Sequence, residues 1–387
     1  MKKTLITFLG RTRKTEQGYN KTAYVIDGET HEPSAFLGFN LQRHLKPQRL
    51  VVMGTAGSMW DHLFDGDINL GDLAEDERLT LADAVENQAV TQQQLDSLRH
   101  LLEERLDTEV RLQIIPYGHD LAEQVRLVEL MANHVQSQDK VHLDVTHGFR
   151  NLPMVALLAA MYLREIRQAR IEGIWYAAYD PGKPSTTVNN IEGLLRVADW
   201  LTAMSSYTKD GDYGVFGKLL GKSAHLLKSA AYFERTSNPA KARECLSSWT
   251  IADNYPDDPV ASLFADELQR RIDWHKSQSR PDYEKHLACE YLNRRDYLRA
   301  AIFGLESKIT EQTYTQKLPD DYARRKEVSE QLKQSADFST LNNMRNALAH
   351  GLRSPDPALD RLLANEDKLQ AELRRLFKAL KITSPAT

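Results

Sequence analysis

Cysteine is nearly absent. The chain holds two in 387 residues, Cys245 and Cys289, at no metal-binding or redox spacing. This excludes a disulfide framework and suits a reducing, cytoplasmic setting. Long apolar runs are missing too. The longest, Met154–Leu163, is too short to span a bilayer, so no membrane partner is expected. Two lysines follow Met1, but the chain moves straight into a strand pattern, which a signal peptide does not do. A basic excess is also lacking. The net charge of −4 excludes a general nucleic-acid coat, so any contact with RNA or a nucleotide must be local. Low-complexity tracts and clear internal repeats do not occur. What remains is 41% hydrophobic residues over a length that predicts two domains with packed cores.

In the first half, short apolar runs alternate with helical patterns. Strands are expected at Thr4–Leu9, Tyr24–Ile26, Arg49–Met53, Val110–Pro116, Val141–Asp144 and Arg170–Tyr179. Helices are expected at Ala35–Leu45, within the polar, acidic stretch Asp72–Leu106, and at Leu121–Val135. Such alternation predicts an α/β, Rossmann-like parallel sheet with helices on both faces. From about Ile191 strand signals vanish. Helices are expected at Ile191–Tyr207, Lys218–Glu234, Pro259–Gln278, Asp282–Glu290 and Asp296–Lys308, with a Pro/Asp-rich break at Tyr255–Pro259. The expected division is therefore 1–190 and 191–387, the second part all-α.

Three loops follow strands. Gly10–Lys21 carries Arg11, Arg13, Lys14 and Lys21 among Thr12 and other small polar residues, a composition suited to an anion. Gly54–Trp60 brings Thr55, Ser58 and Met59 between a strand and an expected helix, where backbone N–H groups meet phosphate in many α/β proteins. It is neither a Walker motif nor a dinucleotide fingerprint, because the lysine and the third glycine are missing. The run Val141–Pro153 holds Asp144, Thr146, His147, Gly148 and Arg150 in one turn, and Pro153 opens a helix at a position where its missing N–H costs nothing. A strand, a polar glycine-containing turn and a helix N-terminus together make an anion pocket.

Near the C-terminus, Met344–Gly351 reads Met-Arg-Asn-Ala-Leu-Ala-His-Gly. Leu341, Met344 and Leu348 are apolar at helical spacing, Gly351 is a helix-ending residue, and Pro355 bars continuation. Arg345 and His350 are five residues apart, about 500° on an ideal helix, which leaves them roughly 140° off one face. They converge only if the helix end distorts or a second copy supplies half of a site. Arg, Asn and His without metal ligands suit cleavage of RNA by its own 2′-hydroxyl. The histidine moves the proton, the arginine stabilises charge on the phosphorane, and Asn346 orients the phosphate or the imidazole. Neither paired carboxylates nor Cys/His spacing occurs near this motif, so no catalytic metal is expected. The spacing alone is weak, since Arg270 and His275 repeat it.

Together the halves resemble the CARF–HEPN ribonucleases of type III CRISPR systems, Csx/Csm-type ancillary enzymes with a CARF domain of the TM-eighteen-twelve type. The resemblance rests on Phe8-Leu9-Gly10, on Gly54-Thr55 with Ser58-Met59-Trp60, on Asp144-Val145-Thr146-His147-Gly148-Phe149-Arg150, on Trp175–Tyr179, and on Arg345-Asn346 with His350. It further takes in Tyr297, Ala300, Ala301 and Glu306, on the helix that usually precedes the motif. It implies a CARF domain at 1–190 that senses cyclic oligoadenylate, then a helical linker and HEPN ribonuclease domain at 191–387. It implies a homodimer or higher oligomer that cleaves single-stranded RNA in antiviral defence. Arg345, Asn346 and His350 would be catalytic. Gly10, Arg11, Thr12, Thr55, Ser58, Met59, Thr146, His147, Gly148 and Arg150 would touch the ligand. Cyclic tetra-adenylate is favoured and cyclic hexa-adenylate is second. Alternatives are a CARF regulator whose helical half binds a partner or DNA, a HEPN toxin held by an antitoxin, and a CARF domain that also degrades its own cyclic ligand.

Overall fold

The computed structural model describes residues 1–12, 14–15, 18–180, 182–221, 224–249, 258–351 and 357–383. Arg13, Pro355 and most of the expected break at Tyr255–Pro259 lie outside the described residues. The chain divides into two compact units, Met1–Leu195 and Arg196–Thr387.

In the first unit the strands are β1 (Lys3–Leu9), β2 (Lys14–Thr15), β3 (Gly18–Tyr19), β4 (Ala23–Ile26), β5 (Glu29–Thr30), β6 (Arg49–Gly54), β7 (Glu109–Ile114), β8 (Lys140–Asp144), β9 (Arg170–Ala177) and β10 (Ser185–Asn190). Its helices are α1 (Leu37–Leu45), α2 (His62–Asp65), α3 (Glu75–Glu86), α4 (Gln92–Leu106), α5 (Leu121–Asn133) and α6 (Leu152–Glu165). Eight strands form one sheet in the order β5-β4-β10-β9-β8-β1-β6-β7. The five strands from β9 to β7 are parallel throughout. Alternation along β1 builds both faces. Leu5 and Leu9 enter one core, with Leu50, Val52, α1, α3 and α4. Ile6 and Phe8 enter the other, with Val51, Met53, α5 and α6. Both faces are covered, which explains why β1 and β6 read as largely apolar runs.

The sheet departs from the expected all-parallel arrangement at one side. β10 pairs antiparallel with β9, and β5 pairs antiparallel with β4. The sequence of β10, Ser-Thr-Thr-Val-Asn-Asn, is polar outside Val188 and gives no hydrophobic signal. The basic loop contains the small hairpin β2–β3. The stretch Asp72–Leu106 is two helices, because Thr91 and Gln94 form a reciprocal cap that restarts the chain as α4.

The division between units falls within α7 (Gly193–Asp210). The second unit continues with α8 (Ala224–Arg235), α9 (Pro239–Ser247), α10 (Pro259–Ile272), α11 (Arg280–Asn293), α12 (Tyr297–Thr315), α13 (Tyr322–Leu332), α14 (Ala336–His350), α15 (Pro357–Leu363) and α16 (Glu366–Ala379). Short 3₁₀ turns cover Tyr213–Lys218 and Asp273–Lys276. No strand occurs among its described residues. Its core is aromatic and aliphatic, including Trp200, Tyr291, Phe303, Phe338, Leu341 and Met344.

Candidate functional site

The sheet order sets the first site. From β1 the chain builds β6 and β7 on one side, and β8 and β9 on the other. The order reverses at β1, and in open α/β sheets ligands bind in the crevice beyond the carboxyl ends at such a point. The three loops singled out in the sequence leave β1, β6 and β8, which are adjacent strands.

Hydrogen bonds stitch these loops together. The Ser58 hydroxyl donates to the Leu9 carbonyl at 2.6 Å and accepts from the Thr55 N–H at 2.9 Å. The Met59 N–H donates to the Gly10 carbonyl at 2.9 Å. A Cβ at Gly10 would lie 2.7 Å from the Gly148 nitrogen, so the β1 and β8 loops touch backbone to backbone. Gly148 itself has φ +101°, a region L side chains rarely adopt. Below them, buried Asp144 accepts from the Thr7 hydroxyl at 2.7 Å and from the Thr146 N–H at 3.0 Å. The Thr146 hydroxyl accepts from the Ala177 N–H at 3.0 Å.

The residues proposed to meet a ligand therefore fall into two groups. Thr55, Ser58 and Met59 are buried, and their polar atoms are spent on the chain. The helix expected to open at Met59 begins at His62 and lasts four residues, so it offers no N-terminal donor set there. Trp60 explains the turn: its indole N–H donates to the Thr55 carbonyl at 2.7 Å, folding the loop back on itself. Gly10, Thr12, Thr146 and His147 are half-buried, and Arg11, Gly148 and Arg150 are exposed. Arg150 makes no ion pair among the described residues, and α6 begins two residues later with no side-chain cap. The described cations of the Gly10–Lys21 loop are paired. Arg11 lies 3.5 Å from Glu86, Lys14 lies 3.1 Å from Asp61, and Lys21 lies 2.7 Å from Asp67. Asp67 is the reason Lys21 is held. Burial pushes its pKa up, but hydrogen bonds from His62, Lys21 and Ser34 prevail and bring it down to about 2.

His147 does a job the sequence does not announce. Phe36 occupies the N-cap of α1 and has no side-chain acceptor, so the Leu37 N–H donates instead to His147 Nε2 at 3.2 Å. The proton then sits on Nδ1. Burial lowers the His147 pKa and nearby His62 adds to this, while the Asp144 charge opposes it. A neutral, engaged ring is a poor proton shuttle at neutral pH.

The second candidate site is on α14. Phe338, Leu341 and Met344 form its buried stripe, and Gly351 ends it at φ 60° with its N–H on the Ala347 carbonyl. Arg345 is half-buried. Its Nη2 donates to Asn342 Oδ1 at 3.2 Å, and its buried Nε has no partner among the described residues. Asn342, missed in the sequence, lies one turn before the arginine on the same face. Both line a cavity of about 530 Å³ with Glu306, Tyr322, Arg325 and Lys326. Asn346 and His350 are exposed and four residues apart, so they share a different face. One chain thus does not bring Arg345 and His350 together, as their angular offset requires. Near Arg345, Arg325 is bound to Glu306, to Asp320 at 2.8 Å and to the Thr310 hydroxyl at 3.1 Å. The repeated spacing at Arg270 and His275 is structural, since Arg270 pairs with Glu267 and buried His275 is bound to the Ile272 carbonyl.

Among the described residues, one group has metal-ligand chemistry. Glu29, His31 and His44 place ligand atoms within 4.8 Å of one another beside β5. They lie in the first unit and no part of the Arg345–His350 motif belongs to them. No described helix is long and apolar enough to cross a membrane.

The CRISPR-associated protein MJ1674 of Methanocaldococcus jannaschii is 25% identical over 243 residues, 57% of this chain. The chain spans only 38% of the length of that relative. A solved structure, Enterococcus italicus Csm6 bound to cyclic hexa-2′-fluoro-hexa-dAMP, aligns over 98% of this chain and 94% of that one, at 12% identity and a TM-score of 0.42. The family described as the CARF domain of the CRISPR system endoribonuclease Csx1 matches residues 4–181, the span that holds all three loops. Over those residues the chain is similar to that CARF-domain family.

Proposed function

We propose that this chain is a cyclic-oligoadenylate-activated, metal-independent endoribonuclease of type III CRISPR defence. Residues 1–190 form the sensing domain, and 191–387 carry a helical linker and a HEPN ribonuclease domain. The observation that carries the reading is the placement of the catalytic trio. Arg345 lines a cavity while Asn346 and His350 share the exposed face of the same helix end. This arrangement suits a site completed across a two-fold axis, where His350 of one chain meets Arg345 of the other. His350 would move the 2′-hydroxyl proton, Arg345 would stabilise the phosphorane, and Asn346 would orient the phosphate.

Pairing has its own support in the first unit. Met154, Leu158, Tyr162 and Ile166 recur every fourth residue along α6 and its end, and all four are exposed. Leu121 and Val125 are also exposed on α5, the helix packed beside it. Contiguous exposed apolar surface of this kind marks an interaction face. α6 begins beside the Thr146–Arg150 loop, so two-fold pairing there brings two copies of that loop together.

The test is RNA cleavage against cyclic adenylates of different ring size, with EDTA present. Cleavage should persist in EDTA and leave a 2′,3′-cyclic phosphate or its 3′-phosphate product. Arg345→Ala and His350→Ala should each abolish it and leave activator binding intact. Full activity in His350→Ala, or a loss in EDTA that Mg²⁺ restores, overturns the reading.

A further inference from the structure

The cavity beside Arg345 is larger than one phosphate requires. Its volume of about 530 Å³ is that of a nucleotide-sized site. The walls come from α12, α13 and α14, and the charged side chains are Glu306, Arg325, Lys326 and Arg345. Two of these cancel, because Arg325 is bound to Glu306. Lys326 is exposed and makes no ion pair among the described residues, so it and Arg345 leave the cavity with a positive surplus. Tyr322 stands at the rim, 84% exposed. One turn of α13 separates Tyr322 from Lys326, which places ring and ammonium on one face. The buried Nε of Arg345 has no partner among the described residues and so stands ready to donate to an anionic guest.

Resting on the ribonuclease reading above, we propose that this cavity is a substrate subsite for the nucleotide next to the scissile phosphate. The Tyr322 ring stacks on its base and Lys326 holds its phosphate, while Asn342 fixes Arg345 for the scissile group. Stacking on an aromatic ring is tolerant of base identity, so the subsite confers affinity and register without strict sequence choice. Asn342 acts through Arg345 and is a positioning residue.

The experiment compares full-length wild type with Tyr322→Ala and Lys326→Gln, both surface changes. It reads cleavage with activator present, and binding of an uncleavable 2′-O-methyl RNA at several salt concentrations. Each variant should weaken RNA binding about tenfold, and the loss should appear in KM and not in kcat. Lys326→Gln should lower the slope of log affinity against log salt by about 0.7, the value for one lost contact to a single strand. A helix merely destabilised by substitution would not change that slope. If wild type cleaves and both variants bind RNA with its affinity and slope, the subsite is wrong while the ribonuclease stands. If wild type neither cleaves nor binds RNA, both fall.

Discussion

At the residue scale, half-buried Asp67 and buried Glu234 respond to pH in opposite directions. Asp67 is held down to about 2 by His62, Lys21 and Ser34 against the cost of burial, so its contribution is present at neutral pH and is lost as pH falls through the folded value. Glu234, in the helical unit, is the reverse. Burial raises its pKa from the usual 4.5 to about 6, although a hydrogen bond from Tyr291 and the charges of Arg294 and Arg299 pull it back. A raised pKa means that folding favours the protonated acid. That contribution is full below about 4.5 and is lost as pH rises through about 6. At about 1.36 kcal/mol per unit, the loss is on the order of 2 kcal/mol. Glu234→Gln keeps the shape and removes the titration. Thermal unfolding of wild type from pH 4.5 to 7 should show this decline in the helical unit, and the variant should not. Identical pH slopes in both proteins would mean that Glu234 does not titrate in that window.

At the scale of elements, α6 carries two tasks that its sequence states unequally. Leu152, Ala156, Ala159, Ala160 and Leu163 face the core. Met154, Leu158, Tyr162 and Ile166 face solvent. The run Met154–Leu163 therefore reads as apolar all round, and periodicity cannot separate its inner face from its outer one. The structure can, and it makes the outer stripe a surface to be tested. Leu158, 63% exposed, lies in mid-helix. Leu158→Glu costs nothing to the monomer core but places a charge in each half of a two-fold contact. Two lost leucines at about 1.5–3 kcal/mol each should raise the dimer dissociation constant at least a hundredfold. Sedimentation across a concentration series measures it, and an unaltered dimer would remove α6 from the interface. Other elements were plainly written. Strands β1, β6 and β8 were legible because both faces are buried, and β7 because Val110 and Leu112 alternate with polar residues. Strand β10 was not, because its polar sequence has no hydrophobic signature even though it pairs on both sides. The helix α14 was legible from Leu341, Met344 and Gly351. The roles of Ser58, Met59 and His147 were not, since only the fold shows that Leu9, Gly10 and Leu37 are their partners.

At the scale of the whole molecule, the proposed two-fold dimer makes symmetry the test of which activator would fit. A two-fold dimer presents each surface twice, and a ligand that satisfies both copies equally should itself contain a two-fold axis. Cyclic tetra-adenylate and cyclic hexa-adenylate contain one, and cyclic tri-adenylate does not. The available charge favours the smaller ring. Arg150 is exposed and unpaired among the described residues. Arg11 is exposed too, and its contact with Glu86 at 3.5 Å is a surface pair that gives way at little cost. Two copies of each supply four cations for four phosphates. Under the proposed function the ligand would activate by preferring one arrangement of the paired helical units, so weakening its grip would change how much is needed, not what saturation achieves. Arg150→Ala should raise the half-activating concentration of cyclic tetra-adenylate at least about tenfold, the value of one lost charge-assisted hydrogen bond. The maximal cleavage rate should stay at the wild-type level. A titration of both proteins with each ring size, read as RNA cleavage, decides it. Activation by cyclic tri-adenylate alone would rule out a shared two-fold pocket. A lower saturated rate with unchanged half-activation would move Arg150 from binding to the transmission of the signal.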